Sequence, residues 1–338
     1  MGKAAAGQSN SGSSALRAAL LAWYAQQKRA LPWRRDRDPY RVWISEIMLQ
    51  QTRVAAVLEH YRAFLEAFPT LQALAQAPLE QVLARWSGLG YYRRARMLHR
   101  AAGLLVNESG GVIPRAAEEL RKLPGIGRYT AAAIASIAFG EPVAVVDGNV
   151  ERVLSRLDGE PRSAASAWRR AQELLDGSHA GDWNQAMMEL GATVCTPQNP
   201  QCLVCPLRPW CKAPGAETAR PRQARRRVQG IRALIERKQC VYLVQRPADA
   251  AKMAGMWELP ECAAPPEGRK AEPEAIPLCV VRHSITDTDY EVQVVRSGLK
   301  AVAARDKKAG RWVMLAELFN LPLTGLTRKI LRRQGFRP

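Results

Sequence analysis

The chain has 338 residues, 47% of them apolar, and sets 50 Lys and Arg against 31 Asp and Glu for a formal net charge of +19. That length and apolar content allow about two domains with real cores and exclude wholesale disorder. The cationic excess points to a polyanionic partner, with nucleic acid ahead of an acidic membrane surface. No apolar run reaches the roughly 18 residues of a membrane span. The opening MGKAAAGQSNSGSS lacks the apolar middle of a secretory signal. A cytoplasmic protein with no membrane partner is expected.

In chain order, residues 1–14 are expected to form a disordered leader. Residues 15–212 then read as one all-helical domain. Apolar positions recur there at three- and four-residue spacing, as in VLEHYRAFLEAF and AWRRAQELL, between breakers such as WSGLGYY, LPGIG and FGEP. Residues 213–228, rich in Pro, Gly and Arg, form a basic linker able to follow a phosphate backbone. From 229 to 338 the grammar changes to strands (QCVYLVQR, IPLCVVRHSI, YEVQVVR, RWVMLAEL) closed by a helix, LTGLTRKILRRQ. This is an α+β domain.

Three stretches carry chemistry. In VWISEIMLQQT the acid Glu46 stands among apolar neighbours on a helix. It is either the wet side of an amphipathic helix or a carboxyl desolvated so that it holds a proton near neutral pH. In EELRKLPGIGRYTAAAI a helix ends at Leu123, Pro124 and Gly125 turn the chain, and a second helix starts after Gly127. Such a helix-hairpin-helix presents backbone amides to one DNA phosphate, or else is an ordinary helical corner. Cys195, Cys202, Cys205 and Cys211 stand as C-x6-C-x2-C-x5-C in a proline-rich loop without His. This is a metal-binding pattern, open between zinc and an iron–sulfur cluster. Cys240, Cys262 and Cys279 are scattered, with buried thiols as the default.

Taken together, ISEIMLQQT, LPGIGRYTA followed by VVDGNV, and the four cysteines resemble the endonuclease III superfamily of helix-hairpin-helix DNA glycosylases, in its adenine-removing MutY-like branch. The resemblance covers about Leu16 to Lys212 and continues more weakly beyond. It implies a monofunctional glycosylase of base excision repair that flips adenine out of duplex DNA and hydrolyses its glycosidic bond. The implied substrate is adenine mispaired with 8-oxoguanine or guanine. It also implies one [4Fe-4S] cluster per chain on Cys195, Cys202, Cys205 and Cys211, and a monomer associated with the bacterial nucleoid.

Residue by residue, the resemblance implies Glu46 as general acid and Asp147 facing the sugar as positive charge develops, with Tyr129 and Asn149 positioning them. Asp147 also suits a helix N-cap. Lyase relatives carry a lysine where Tyr129 stands, so an endonuclease III-like glycosylase and lyase on oxidised pyrimidines is the enzymatic alternative, and a non-catalytic DNA-binding scaffold is the other. Trp33, Arg34 and Glu189 align with the adenine pocket. Gln51, Thr52, Leu89 and Tyr91 probe or wedge the opened stack, although Leu89 and Tyr91 equally suit a core. Lys122, Gly125 and Gly127 meet phosphate. Arg93, Arg94 and Arg96 touch phosphate or simply face solvent.

The strand-rich part resembles a MutT-like (Nudix-fold) domain that reads 8-oxoguanine, with GMWELP at 255–260 as the clearest match. The proline-rich ECAAPPEGRKAEPEA after it cannot supply a Glu-rich metal-binding helix, so no pyrophosphatase activity is expected. The 8-oxoguanine loop would be His283, Ser284, Ile285, Thr286 and Asp287. Ile-Thr-Asp replaces the usual Phe-Ser-His there, so either 8-oxoguanine is read differently, through His283 or Thr286, or selectivity against guanine is relaxed. Discrimination that is retained but weaker is expected.

Overall fold

The computed structural model describes residues 5–216, 224–250, 252–262, 277–285 and 287–336. The chain divides into two compact units, 1–75 with 100–221 and 76–99 with 222–338. No helix among the described residues is long and apolar enough to cross a membrane.

The first unit is helical. It contains α1 (Ala5–Gln27), α2 (Pro39–Leu49), α3 (Val54–Ala67) and α4 (Leu71–Gln76, ending at the boundary). After the excursion into the second unit come α7 (Ala117–Leu120), α8 (Arg128–Phe139), α9 (Gly148–Asp158), α10 (Ala164–Leu174) and α11 (Ala180–Thr193). The chain leaves this unit through α5 (Leu79–Trp86) and re-enters it within α6 (Arg93–Ser109).

Helix α1 starts inside the segment expected to be a disordered leader. Its Ala-, Gln- and Ser-rich start contains no proline, so helix propagates outward from the half anchored by the buried Leu16, Leu20 and Tyr24. Helix α2 begins at Asp38, whose carboxylate accepts from the Arg41 amide at 2.8 Å, with Pro39 in the first turn. Tyr40 and every residue from Val42 to Met48 are buried, so α2 is an interior helix packed against α3 and α8 with almost no wet side. Helix α9 buries Val150, Val153, Leu154 and Leu157 on one stripe. It stops at Gly159, whose φ of 77° suits the left-handed cap.

The second unit gathers residues 76–99 with the strands, although the sequence places them with the first domain. Polar anchors account for this. Ser87 Oγ donates to the Leu323 carbonyl at 2.7 Å, Arg328 Nη1 to the Ser87 carbonyl at 2.7 Å, and Trp257 Nε1 to Glu80 Oε1 at 3.0 Å. The strands are β1 (Arg226–Leu234), β2 (Glu236–Arg237), β3 (Cys240–Gln245), β4 (Trp257–Glu258), β5 (Cys279–Ile285), β6 (Thr288–Arg296) and β7 (Gly310–Met314). Helix α12 (Ala304–Ala309) precedes β7, and α13 (Gly325–Arg333) follows it.

One sheet runs β1-β6-β5, with β1 parallel and β5 antiparallel to β6; the other runs β2-β3-β4, with β7 also on β3. Leu234, Leu243, Val281, Val292, Val313, Ile330 and Leu331 form a core shared by both sheets and α13. The architecture is thus a helical unit and an α+β unit.

Candidate active site

Glu46 is 5% exposed in the middle of α2. Burial pushes its carboxyl up to about 7. Asp147 adds to the rise, while a hydrogen bond from Tyr129 and the charge of Arg34 oppose it. The Tyr129 hydroxyl, brought in on the first turn of α8, donates to Glu46 Oε2 at 2.9 Å and also lies 3.2 Å from Met188 Sδ. Burial holds the phenol well above its usual range, so it remains a hydrogen-bond donor. Packing therefore removes the wet-side reading of Glu46. The helix has no wet side at that position, and its carboxyl holds a proton near neutrality.

Asp147 caps α9. Its Oδ1 accepts from the Asn149 and Val150 amides at 2.9 and 2.8 Å, and its Oδ2 accepts from Asn149 Nδ2 at 2.9 Å. Three N–H donors thus fix the direction of this capping carboxylate. The extended stretch leading into it is clamped by the buried Asn184. Its Oδ1 accepts from the Val145 amide at 3.0 Å, and its Nδ2 donates to the Val143 carbonyl and to Ser136 Oγ.

Glu189, one residue beyond Met188 on α11, is 1% exposed. Burial acts to raise its carboxyl. Hydrogen bonds and charge from Arg29 and Arg34 win and hold it down at about 2. Arg29 contributes Nε and Nη2, each at 2.7 Å, and Arg34 contributes Nη2 at 2.9 Å. Two buried carboxylates on neighbouring helices are thus set apart: one protonated near neutrality, one locked as an anion. Trp33 is buried in the turn before α2, its ring edge-on to Tyr61 at 5.3 Å.

The hairpin turn places Gly125 at φ 78° and makes Gly127 the N-cap of α8 without a side-chain cap. The first-turn amides of α8 thus lack a side-chain cap, as an anion site requires. The preceding helix α7 ends at Leu120 rather than Leu123, so the first arm of the hairpin is a single turn. Lys122 is exposed and paired with Glu119 at 2.7 Å, a surface pair of the weak kind.

Gln51 and Tyr91 both adopt left-handed backbone, at φ 55° and 47°. Strain of this sort concentrates at functional positions. Gln51 is exposed, and Thr52 is half-buried beside it. Tyr91 is 48% exposed while Leu89 is 5% exposed, so of the two nominated wedges Tyr91 is presented and Leu89 is core. Arg94 stacks between the rings of Trp86 and Tyr91, and Arg96 donates to the Ala254 carbonyl.

Within the second unit, His283, Ser284 and Ile285 line a cavity with Leu89, Tyr91, Arg93, Lys252 and Met253. They are the end of β5 rather than a loop. Ile285 pairs with Thr288, and Asp287 lies in a turn just before β6. Asp287 is exposed and accepts from Thr288 Oγ1, a bond that holds its carboxyl below the usual range. Ser284 Oγ donates to Asp289 Oδ1 at 2.6 Å. Thr286 lies outside the described residues.

All four clustered cysteines are unpaired thiols lining one small cavity. Donors already point at sulfur: the Gly215 amide lies 3.2 Å from Cys202 Sγ, and Arg156 Nη1 lies 3.3 Å from Cys195 Sγ. Amide and guanidinium donors of this kind stabilise thiolates, and an all-sulfur donor set suits an iron–sulfur cluster or zinc. Among the described residues, no group of three or more His, Cys, Asp or Glu is disposed to hold a single metal ion.

Residues 44–175 match the model of the HhH-GPD superfamily of base excision DNA repair proteins. The adenine DNA glycosylase of Mus musculus is 37% identical over an alignment that covers 96% of this chain and 79% of the mouse protein. The chain belongs to the adenine DNA glycosylase family.

Other adenine DNA glycosylases match over a smaller share of this chain. The Homo sapiens enzyme is 53% identical across 59% of this chain but only 39% of its own length, so the chain spans well under half of that relative. Among solved structures, a thermostable thymine-DNA glycosylase is similar at 30% identity and a TM-score of 0.56, over 60% of this chain and 97% of its own. An endonuclease III bound non-covalently to DNA is similar at 28% identity and a TM-score of 0.51, over 59% and 95%.

Three partners in this family member's site escaped the sequence reading. Arg29 is the second arm on Glu189, and only its position ahead of LPWR hinted at it. Met188 touches Tyr129, yet within MMELG it looks like core. Arg152 donates to Asn149 Oδ1 at 2.9 Å, the Gly191 carbonyl at 2.7 Å and the Cys195 carbonyl at 2.8 Å. It ties the base of the cysteine loop to the residue beside Asp147. In DGNVERVLSRL it reads as an ordinary exposed arginine.

Proposed function

We propose that this chain excises adenine from duplex DNA by monofunctional hydrolysis, with Glu46 as the general acid. The observation that carries the reading is a buried carboxyl, protonated near neutrality and hydrogen-bonded to Tyr129, where a lyase would carry an amine. Glu46 transfers its proton to the adenine ring, so the C1′–N bond breaks with adenine leaving as a neutral base. Positive charge left on the sugar faces Asp147, whose direction the α9 cap and Asn149 hold. Water adds at C1′ and releases a proton, returning the acid to its starting state. Trp33, Arg34 and Glu189 would border the flipped base, with Glu189 as a fixed anion able to accept from an exocyclic amine.

The helical unit would grip DNA through the α8 amides and Lys122, as the DNA-bound endonuclease III it resembles suggests. Gln51, Thr52 and Tyr91 would meet the opened stack. The second unit, as a MutT-like reader, would present His283, Ser284 and Asp287 to an 8-oxoguanine opposite the adenine. The shared cavity with Tyr91 supports that placement. An exposed Asp287 where a neutral donor is usual supports weaker selection against guanine. Cys195, Cys202, Cys205 and Cys211 would hold one [4Fe-4S] cluster, which would clip the loop to α9 and α11. Purified protein should then be brown and contain iron, and Cys202→Ser should lower the iron content; a colourless, zinc-loaded wild type would reject the cluster.

The deciding test incubates wild type and Glu46→Gln with an adenine:8-oxoguanine duplex and with an adenine:guanine duplex. Excision should fall at least a hundredfold in the variant, and borohydride should trap no covalent adduct. Equal cleavage by the variant, or a trapped adduct, would defeat the reading.

A further inference from the structure

We propose that Met188 is a positioning residue for the acid. Its thioether takes the Tyr129 hydroxyl hydrogen when the proton of Glu46 lies on Oε2, so the phenol changes acceptor as the carboxyl gains and loses its charge. The inference rests on Glu46 as general acid.

The Tyr129 oxygen lies 2.9 Å from Glu46 Oε2 and 3.2 Å from Met188 Sδ. A phenol has one hydrogen to give and lone pairs to receive. With Glu46 ionised, the hydroxyl donates to the carboxylate, a charge-assisted bond. With the proton on Oε2, the carboxyl becomes the donor and Tyr129 the acceptor, and the phenol hydrogen must turn away. Tyr129 is half-buried, and its hydroxyl contacts Met188 Sδ as the acceptor other than Glu46. Sulfur is a weak acceptor, yet a buried hydroxyl with no acceptor costs more than a weak bond.

The remaining charged groups acting on Glu46 are Asp147 at the α9 cap and Arg34 from the turn before α2. Neither is bonded to the phenol: Arg34 only donates, and the Asp147 oxygens accept from Asn149 and Val150, whereas the Tyr129 hydroxyl contacts Glu46 and Met188. Glu189, next to Met188 in the chain, is occupied by Arg29 and Arg34. Met188 therefore favours the loaded, protonated form of the acid and extends it to higher pH. When the proton departs to the base, the phenol can swing from sulfur to the new carboxylate and stabilise it.

The test is the pH dependence of single-turnover excision by wild type and Met188→Leu, which keeps the volume and removes the acceptor. The basic limb should move down by about half a pH unit, leaving the rate about threefold lower above the limb and unchanged well below it. In a Tyr129→Phe background, the same substitution should leave the limb unmoved, since no hydroxyl remains to switch. A limb unmoved by Met188→Leu, or moved equally in both backgrounds, would overturn the switch and leave Met188 as packing. Glu46→Gln run alongside separates the two ideas. Full activity there removes the acid assignment itself, whereas lost activity with an unmoved Met188→Leu limb removes only the switch.

Discussion

Glu46 and Glu189 are both buried carboxyls, and the structure sends them in opposite directions. Glu46 has no cation of its own; its partner is a neutral phenol, so burial dominates and the carboxyl sits near 7. Between its ordinary value of 4.5 and about 7, the folded state holds a proton that the unfolded state has lost. Stability therefore falls as pH rises through that window, by on the order of 3 kcal/mol in total. Glu46→Gln should flatten this decline, so that its unfolding temperature exceeds that of wild type at pH 8 and matches it near pH 4.5. Glu189 gives the contrary sign. Its carboxyl is held at about 2 by Arg29 and Arg34, so its contribution is complete above pH 4.5 and disappears as pH falls toward 2. A pH series of thermal unfolding for wild type and Glu46→Gln measures both windows. The motif ISEIMLQQT marked the Glu46 carboxyl among apolar neighbours, but neither sign was legible, because sign depends on which side chains close around a carboxyl.

At the scale of elements, the site depends on close approach between α9 and α11. Gly191 allows it: a Cβ there would stand 2.6 Å from Asn149 Cβ and 3.0 Å from its carbonyl oxygen. Neither is the flexible end of a side chain, so the helices would have to part. Gly191→Ala should cost about 1–3 kcal/mol in denaturant unfolding. Excision should fall beyond what that loss explains, because Asn149, Arg152 and the cap on Asp147 all lie at this contact. Unchanged stability would mean that the helices adjust more freely than their packing indicates. The start of α8 was legible from the LPGIG turn and that of α9 from Asp147 in DGNV, which named its own cap. The contact between them was not, since Gly191 in MMELG signals nothing until another backbone lies against it.

For the whole molecule, a net charge of +19 predicts DNA binding driven by counterion release. The affinity for an undamaged duplex should fall by roughly a thousandfold between 50 and 200 mM salt if about six phosphates are neutralised. The slope of log Kd against log salt counts those contacts, and a flat plot would remove the basic surface from the binding reaction.

Composition, spacing and motif alone determined a helical domain followed by a strand-rich one, the Glu46 carboxyl in its apolar setting, the cap aspartate, the hairpin and the four-cysteine loop. Local propensity and fixed intervals are written in the chain itself. Tertiary structure alone decided that α2 is interior, that Arg29 and Arg34 share Glu189, that Leu89 is core while Tyr91 is presented, and that residues 76–99 pack with the strands. It also set Met188 against Tyr129. These outcomes come from contacts between residues distant in sequence, and the burial that raises Glu46 and the ion pairs that hold Glu189 down exist only once those contacts close.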